Sequence, residues 1–174
     1  VSLISRLLGK SDHRDAVRPL WHRVVEIARE KPWYAECGVA DTVPGRFDAV
    51  TMVMALVILR MERDRDTDDS LINPAAHLTE LFVEDMDGQL RQSGVGDLVV
   101  GKRMGKLMGV LGGRIGALRD ALSQDDAALV PVVERNMTLV EGADPAPLAA
   151  RVRDLHASLG ALSNEDLLAA RIAR

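Results

Sequence analysis

The residues whose types could do chemistry fall into a few groups, and each group has a spacing its chemistry would need. Gly101-Lys-Arg-Met-Gly105-Lys106-Leu107 resembles a phosphate loop but is one residue short, and Leu107 stands where a Ser or Thr would hold magnesium. Asp85-Met-Asp87-Gly88 is close to a calcium loop. With Gly88 as its sixth position, however, the leading carboxylate would fall on Val83. Glu80, Glu84 and Asp87 share a helix face, without the paired Glu-x-x-His motifs of a carboxylate metal site. The histidines His13, His22, His77 and His156 are scattered without ligand spacing. Cys37 is a lone cysteine, so there is no disulfide framework and no thiolate metal site. Cys37 has no neighbouring base in sequence, and no Gly-x-Ser-x-Gly elbow occurs. The expectation is a protein that is not an enzyme and carries no metal or cofactor.

What remains is a set of charged and aromatic residues at the ends of elements: Tyr34, Asp41, Arg46, Asp85, Asp87, Arg91, Asp97, Lys102, Lys106 and Arg114. They read either as an ion-pair network joining helices or as a surface that binds a client or partner. Arg46 borders a buried stripe and needs carboxylate or carbonyl partners, for which Asp85 or Asp87 would serve. Lys102 and Lys106, one turn apart, read as a contact surface.

The elements that must position these residues are helices. Hydrophobic residues make 47% of the 174, aromatics only 3%, and strand-type alternation is nearly absent. Between Phe47 and Met61 the strongly polar side chains are Asp48 and Arg60, one at each end. Such a run is apolar on every face, and it is too short for the roughly 20 residues that span a bilayer. It predicts the central helix of an all-α protein, a single compact multi-helix domain over 1–174. Asp41 or Thr42 can cap that helix, and Gly45 lets another segment approach.

A first helix is expected from Asp12 to Glu30, disturbed by Pro19 and stopped at Lys31-Pro32, with a loop from Trp33 to Pro44. Asn73-Pro74 predicts the start of another helix, ending near Ser93-Gly94. Residues 96–122 continue as helix in spite of glycines at 101, 105, 109 and 113, each costing about 1 kcal/mol against Ala. That row predicts close packing on a neighbouring helix, or else a smooth groove for a foreign one. The C-terminal third adds helices at 126–137, after Asp144-Pro145, and at Ser163-Asn-Glu-Asp166, a capping-box sequence.

Charge is uneven along the chain. The net charge of −4 argues against bulk binding of DNA, but residues 90–119 carry six basic groups against one acidic. Such a block suits an anionic partner: ribosomal RNA, an anionic membrane surface or an acidic protein. Residues 1–11 read as an amphipathic segment, with Leu3, Ile4, Leu7 and Leu8 on one side and Arg6 and Lys10 opposite. That side reads as a membrane or partner contact, or as a turn docking on its own domain. Without a signal-peptide pattern, and with Arg outnumbering Lys 18 to 4, the expected place is a bacterial cytoplasm, at the inner membrane if peripheral.

Three segments together resemble the ubiquinol–cytochrome c chaperone family: Tyr34-Ala-Glu-Cys-Gly-Val-Ala-Asp-Thr-Val-Pro-Gly-Arg-Phe47, Glu84-Asp-Met-Asp-Gly-Gln-Leu-Arg-Gln-Ser-Gly-Val-Gly-Asp-Leu98 and Gly113-Arg114. The likeness runs over roughly residues 15–140 in order and spacing, and residues 138–174 are less family-specific. It implies an all-helical assembly factor for respiratory complex III. Such a factor is non-catalytic and binds newly made cytochrome b, a hydrophobic membrane-protein client. It works with a small partner subunit and the ribosome, on the matrix side in mitochondria. Tyr34, Asp41, Arg46, Asp85, Asp87, Arg91, Asp97 and Arg114 occupy the motif positions. The chain departs from the pattern at Val53, where a His often stands, and at Gly112 and near Leu118, where aromatics do. The rival expectation is a peripheral membrane or regulatory helical module without chaperone activity.

Overall fold

The computed structural model describes residues 13–92 and 100–173, without the side chains of 90–104 and 126. Leu3, Ile4, Leu7, Leu8 and Asp97, and the side chains of Arg91 and Lys102, lie outside the described residues. The described chain begins with a short 3-10 turn, His13–Ala16, followed by α1 (Arg18–Ala28), α2 (Lys31–Ala35) and α3 (Val43–Glu62). After them come α4 (Ile72–Gln92), α5 (Val100–Leu122), α6 (Asp126–Asn136), α7 (Ala146–Gly160) and α8 (Asn164–Leu168). The helices share one core, and the fold is all-α.

The core is built around α3. Every residue from Ala49 to Met61 is buried, because α1, α4, α5 and α7 pack round this helix. A helix apolar on all faces has no side that prefers water, so it draws neighbours on all of them. Val53 lies in this core, as does Leu118 of α5, whereas Gly112 is exposed. Val53 and Leu118 are therefore packing positions inside the molecule.

Several boundaries differ from expectation. Pro19 does not disturb a helix; it occupies the first turn of α1, where its missing N–H costs nothing. Pro32 likewise sits in the first turn of α2, so the segment after Lys31 is helical before it becomes loop. That short helix turns back on α1. Trp33 Nε1 donates to the Ile27 carbonyl at 2.7 Å and the Tyr34 hydroxyl to the Ala28 carbonyl at 2.8 Å. The two aromatic donors thus tie α2 to carbonyls in the last turn of α1, where Ile27 also accepts from Glu30 N–H.

Residues after α2 and after α6 meet in a minimal antiparallel bridge. Ala40 N–H donates to the Thr138 carbonyl at 2.9 Å and Val140 N–H to the Gly38 carbonyl at 2.8 Å. Side chains cap several helix N-termini, and those at Thr42 and Ser163 are the ones read from sequence. The Thr42 hydroxyl accepts from Gly45 N–H, Asp125 from Ala128 N–H and Ser163 from Asp166 N–H.

The glycine row of α5 does not pack closely on a neighbour. A Cβ built on Gly105, Gly109, Gly112, Gly113 or Gly116 would meet nothing within 4 Å. Among the described residues no helix is long and apolar enough to cross a membrane.

Candidate functional site

The approach to α3 shapes a cleft. Thr42 caps the helix, Pro44 lies in its first turn, and Gly45 follows where no side chain fits. A Cβ there would stand 1.9 Å from the Ala40 carbonyl oxygen, so the close approach of chain to helix requires glycine. This turn holds Val43 outward, 73% exposed, and brings Phe47 to the edge of the core. Around it lies a cleft of about 1180 Å3, walled by Val25 of α1, Arg29 just after it, Lys31 and Tyr34 of α2, and Met86 of α4. Lys106, Leu107 and Val110 of α5 and Thr138 close the other side.

Below the cleft Asp48 ties three elements together. One carboxylate oxygen pairs with the Arg114 guanidinium, which also donates to the Asp48 carbonyl at 2.9 Å. The other carboxylate oxygen accepts from the Thr138 hydroxyl at 2.7 Å and from Thr138 N–H at 2.9 Å. Arg114 is buried, so this pair is shielded from water and joins α3, α5 and the loop after α6.

Arg46 behaves differently. It is not buried, and it does not reach Asp85 or Asp87. Its Nε donates to Asp41 Oδ1 at 2.7 Å, with both side chains about two-thirds exposed, at 63% and 64%. That hydrogen bond holds the Asp41 carboxyl below the ordinary carboxylate range. The buried-arginine expectation fails because Arg46 lies in the first turn of α3, beyond the residues that neighbouring helices cover. Burial, then the nearby Asp41, push the Tyr34 hydroxyl upward, in keeping with a neutral donor to Ala28.

The cleft therefore gathers Tyr34, Asp41, Arg46 and Lys106, and it leaves out Asp85, Asp87 and Arg114. Asp85 is half-buried, with Gln89 Nε2 3.5 Å from its carboxylate. Asp87 lines a different groove, on the other side of α4. The basic block of 90–119 is also less uniform than its composition suggests. Arg114 is spent on Asp48, and Arg119 pairs with Glu62 at 2.6 Å across the surface. Of its cations with described side chains, Lys106 is the one that faces the cleft.

Cys37 is buried outside the cleft, with Sγ 3.7 Å from the Pro147 carbonyl, and burial pushes its thiol up, away from the reactive thiolate. Among the described residues no group of three or more His, Cys, Asp or Glu side chains is placed to hold a metal. What the site offers is apolar wall with a cationic rim. Arg29, Lys31 and Lys106 carry no ion pair among the described residues, whereas Asp41 and Asp48 are both matched by arginines.

The family model described as ubiquinol-cytochrome C chaperone matches residues 35–174, from α2 to the end of the chain. The chain belongs to the ubiquinol–cytochrome c chaperone family. Its fold is similar to the crystal structure of the Cbp3 homolog from Brucella abortus, with 31% identity and a TM-score of 0.80. That match covers 99% of this chain and 96% of the Brucella one. No curated protein sequence matches the chain.

Within the family motif, the geometry separates two kinds of residue. Gly45 and Arg114 hold the backbone and the core, while Tyr34, Asp41 and Arg46 border an open cleft. Sequence reasoning missed Asp48, Thr138, Val43 and Phe47. Asp48 carried a signal, since a carboxylate opening an otherwise apolar helix needs a cation. Thr138 carried none, because its role depends on a helix residue, Asp48, 90 positions away in sequence.

Proposed function

We propose that this protein is a non-enzymatic assembly chaperone for respiratory complex III, and that the cleft beside the N-terminus of α3 receives an apolar segment of a cytochrome b-like client. Membership of the chaperone family supports the role. The observation that carries the site is the cleft itself, apolar in its walls and rimmed by three cations that have no ion-pair partner among the described residues. Its volume of about 1180 Å3 exceeds the roughly 300–1,000 Å3 of small-molecule pockets, so a stretch of polypeptide suits it better than a metabolite.

The mechanism asks for no bond to be made or broken. A membrane segment held away from lipid exposes apolar side chains, and each one buried in the cleft contributes about 1.5–3 kcal/mol. Val43, Phe47, Leu107 and Val110 supply that surface. Arg29, Lys31 and Lys106 favour a segment whose flank is acidic or ends in free carbonyls. The Asp48–Arg114 pair keeps the opposing walls at a fixed spacing, so little ordering is left to be done on binding.

The deciding experiment is deletion in the source organism followed by the difference spectrum of b-type haem and the level of assembled complex III. Loss of both, restored by the intact chain but not by Val43→Asp with Val110→Asp, is the expected result. Normal complex III after deletion would end this reading.

A further inference from the structure

The charge of the cleft runs against the charge of the chain, whose net value is −4. Along the cleft Arg29, Lys31, Arg46 and Lys106 stand against Asp41 and Asp48, and both carboxylates are matched by Arg46 and Arg114. Arg29, Lys31 and Lys106 are exposed, and none has an ion pair among the described residues. The groove on the other side of α4 has the reverse balance, with Glu62, Glu80, Glu84 and Asp87 against Arg14 and Arg65. Composition put the basic character in residues 90–119. The fold keeps Lys106 from that block at the cleft and adds Arg29 and Lys31 from outside it.

The same mouth presents apolar groups to water. Thr42, Val43 and Pro44 are all exposed, and Val43 is the most exposed large apolar side chain among the described residues. Val140, the next most exposed at 54%, stands where its N–H meets the Gly38 carbonyl, in the bridge just before this turn. The knuckle is held outward by its backbone, since Gly45 packs against the Ala40 carbonyl and Thr42 caps α3. The N-terminus of α3 adds partial positive charge to the same mouth.

An aliphatic knuckle among uncommitted cations suits the interface of an anionic bilayer, where phosphates meet the cations and small apolar side chains enter the headgroup layer. Single-stranded RNA suits it less, because such sites offer open aromatic faces for bases to stack on. Here the Tyr34 hydroxyl is committed to the Ala28 carbonyl and Phe47 packs against the core. We propose that the mouth of the cleft sits on an anionic phospholipid surface, with Arg29, Lys31 and Lys106 at the phosphates and Val43 in the headgroup layer. Each basic side chain near such a surface raises partitioning about fivefold, so three give roughly a hundredfold, a reversible attachment. The consequence for the client rests on the chaperone reading above: an apolar segment leaves the cleft directly into the bilayer.

Co-sedimentation of the purified full chain with vesicles tests the contact with no client present. The chain should bind vesicles of phosphatidylcholine with phosphatidylglycerol and ignore phosphatidylcholine alone. Binding should fade as added salt shortens the screening length below about 8 Å. Arg29→Glu, Lys31→Glu and Lys106→Glu together should weaken it by about a hundredfold or more. Arg65→Glu, Arg119→Glu and Arg171→Glu make the same charge change outside the cleft, and should weaken it by less than about tenfold. All six positions are exposed, so both variants should melt as the parent does. The emission of Val43→Trp should shift to the blue on anionic vesicles, against a constant background from the buried Trp21 and Trp33. No binding to the anionic vesicles, equal losses in the two triple variants, an unshifted Val43→Trp, or tighter binding to single-stranded RNA overturns the contact. Complex III in the deletion strain is a separate readout, so failure here and failure of the chaperone reading are told apart.

Discussion

The two ends of α3 each carry an arginine, and the two have opposite fates. At the C-terminal end Arg60 is almost wholly buried, its side chain 2% exposed. Its guanidinium donates to the carbonyls of Leu159 and Leu162, at 3.1 and 2.6 Å, and to Asn164 Oδ1 at 2.9 Å. The turn between α7 and α8 covers that end and offers acceptors. At the N-terminal end nothing covers Arg46, which pairs with Asp41 in water and borders the cleft. One end of the core helix is sealed by backbone, the other left open. The open end is the one that borders the proposed client cleft.

That contrast can be broken at several points, the largest being the pair beneath the cleft. Asp48→Ala would leave Arg114 buried without its carboxylate, and should cost about 3–5 kcal/mol in urea unfolding. Gly45→Ala places a Cβ against the Ala40 carbonyl, where backbone must move. It should cost near or above the top of the roughly 1–3 kcal/mol seen for overpacking, with loss of client binding as the cleft mouth shifts. Matched substitutions compare the two arginines directly. Arg60→Met strands buried carbonyls and should cost about 1–3 kcal/mol, whereas Arg46→Met should leave the urea midpoint nearly unchanged. Equal effects in urea melts would erase the distinction between the sealed and open ends.

The smallest effect is one of pH, at the sealed end. His156 of α7 has a buried Nδ1 without a hydrogen bond, and burial, then Arg153 and Arg63, lower its pKa from the ordinary 6.5. A folded state that resists protonation binds fewer protons than the unfolded chain just below pH 6.5. Stability is therefore full above that value and falls as pH drops from 6.5 toward the lowered pKa. His156→Gln should flatten melting temperature against pH in that window, and an unchanged slope would remove His156 as its cause.

Much of this architecture was legible in the residues. An all-apolar run bracketed by Asp48 and Arg60 could only be a surrounded helix, and Thr42, Gly45 and Ser163 declared their roles through local rules of capping and close approach. The site was legible in part. Periodicity says which residues share a face, but not how far neighbours extend along the helix, so Arg46 was expected inside and stands outside. Pairings across long stretches, such as Asp48 with Arg114 and Thr138, depend on the packing of whole helices. The glycines of α5 had two readings in sequence, and the structure rejects close packing within the domain.

Site-directed photocrosslinking tests the central claim most directly. A photoreactive residue at Val43 or Val110 should capture a nascent cytochrome b-like client in the intact cell, and one at Ala157, on the far side, should not. Capture from Ala157 as strong as from Val43 would contradict the assignment of the cleft, even if the protein proved essential for complex III.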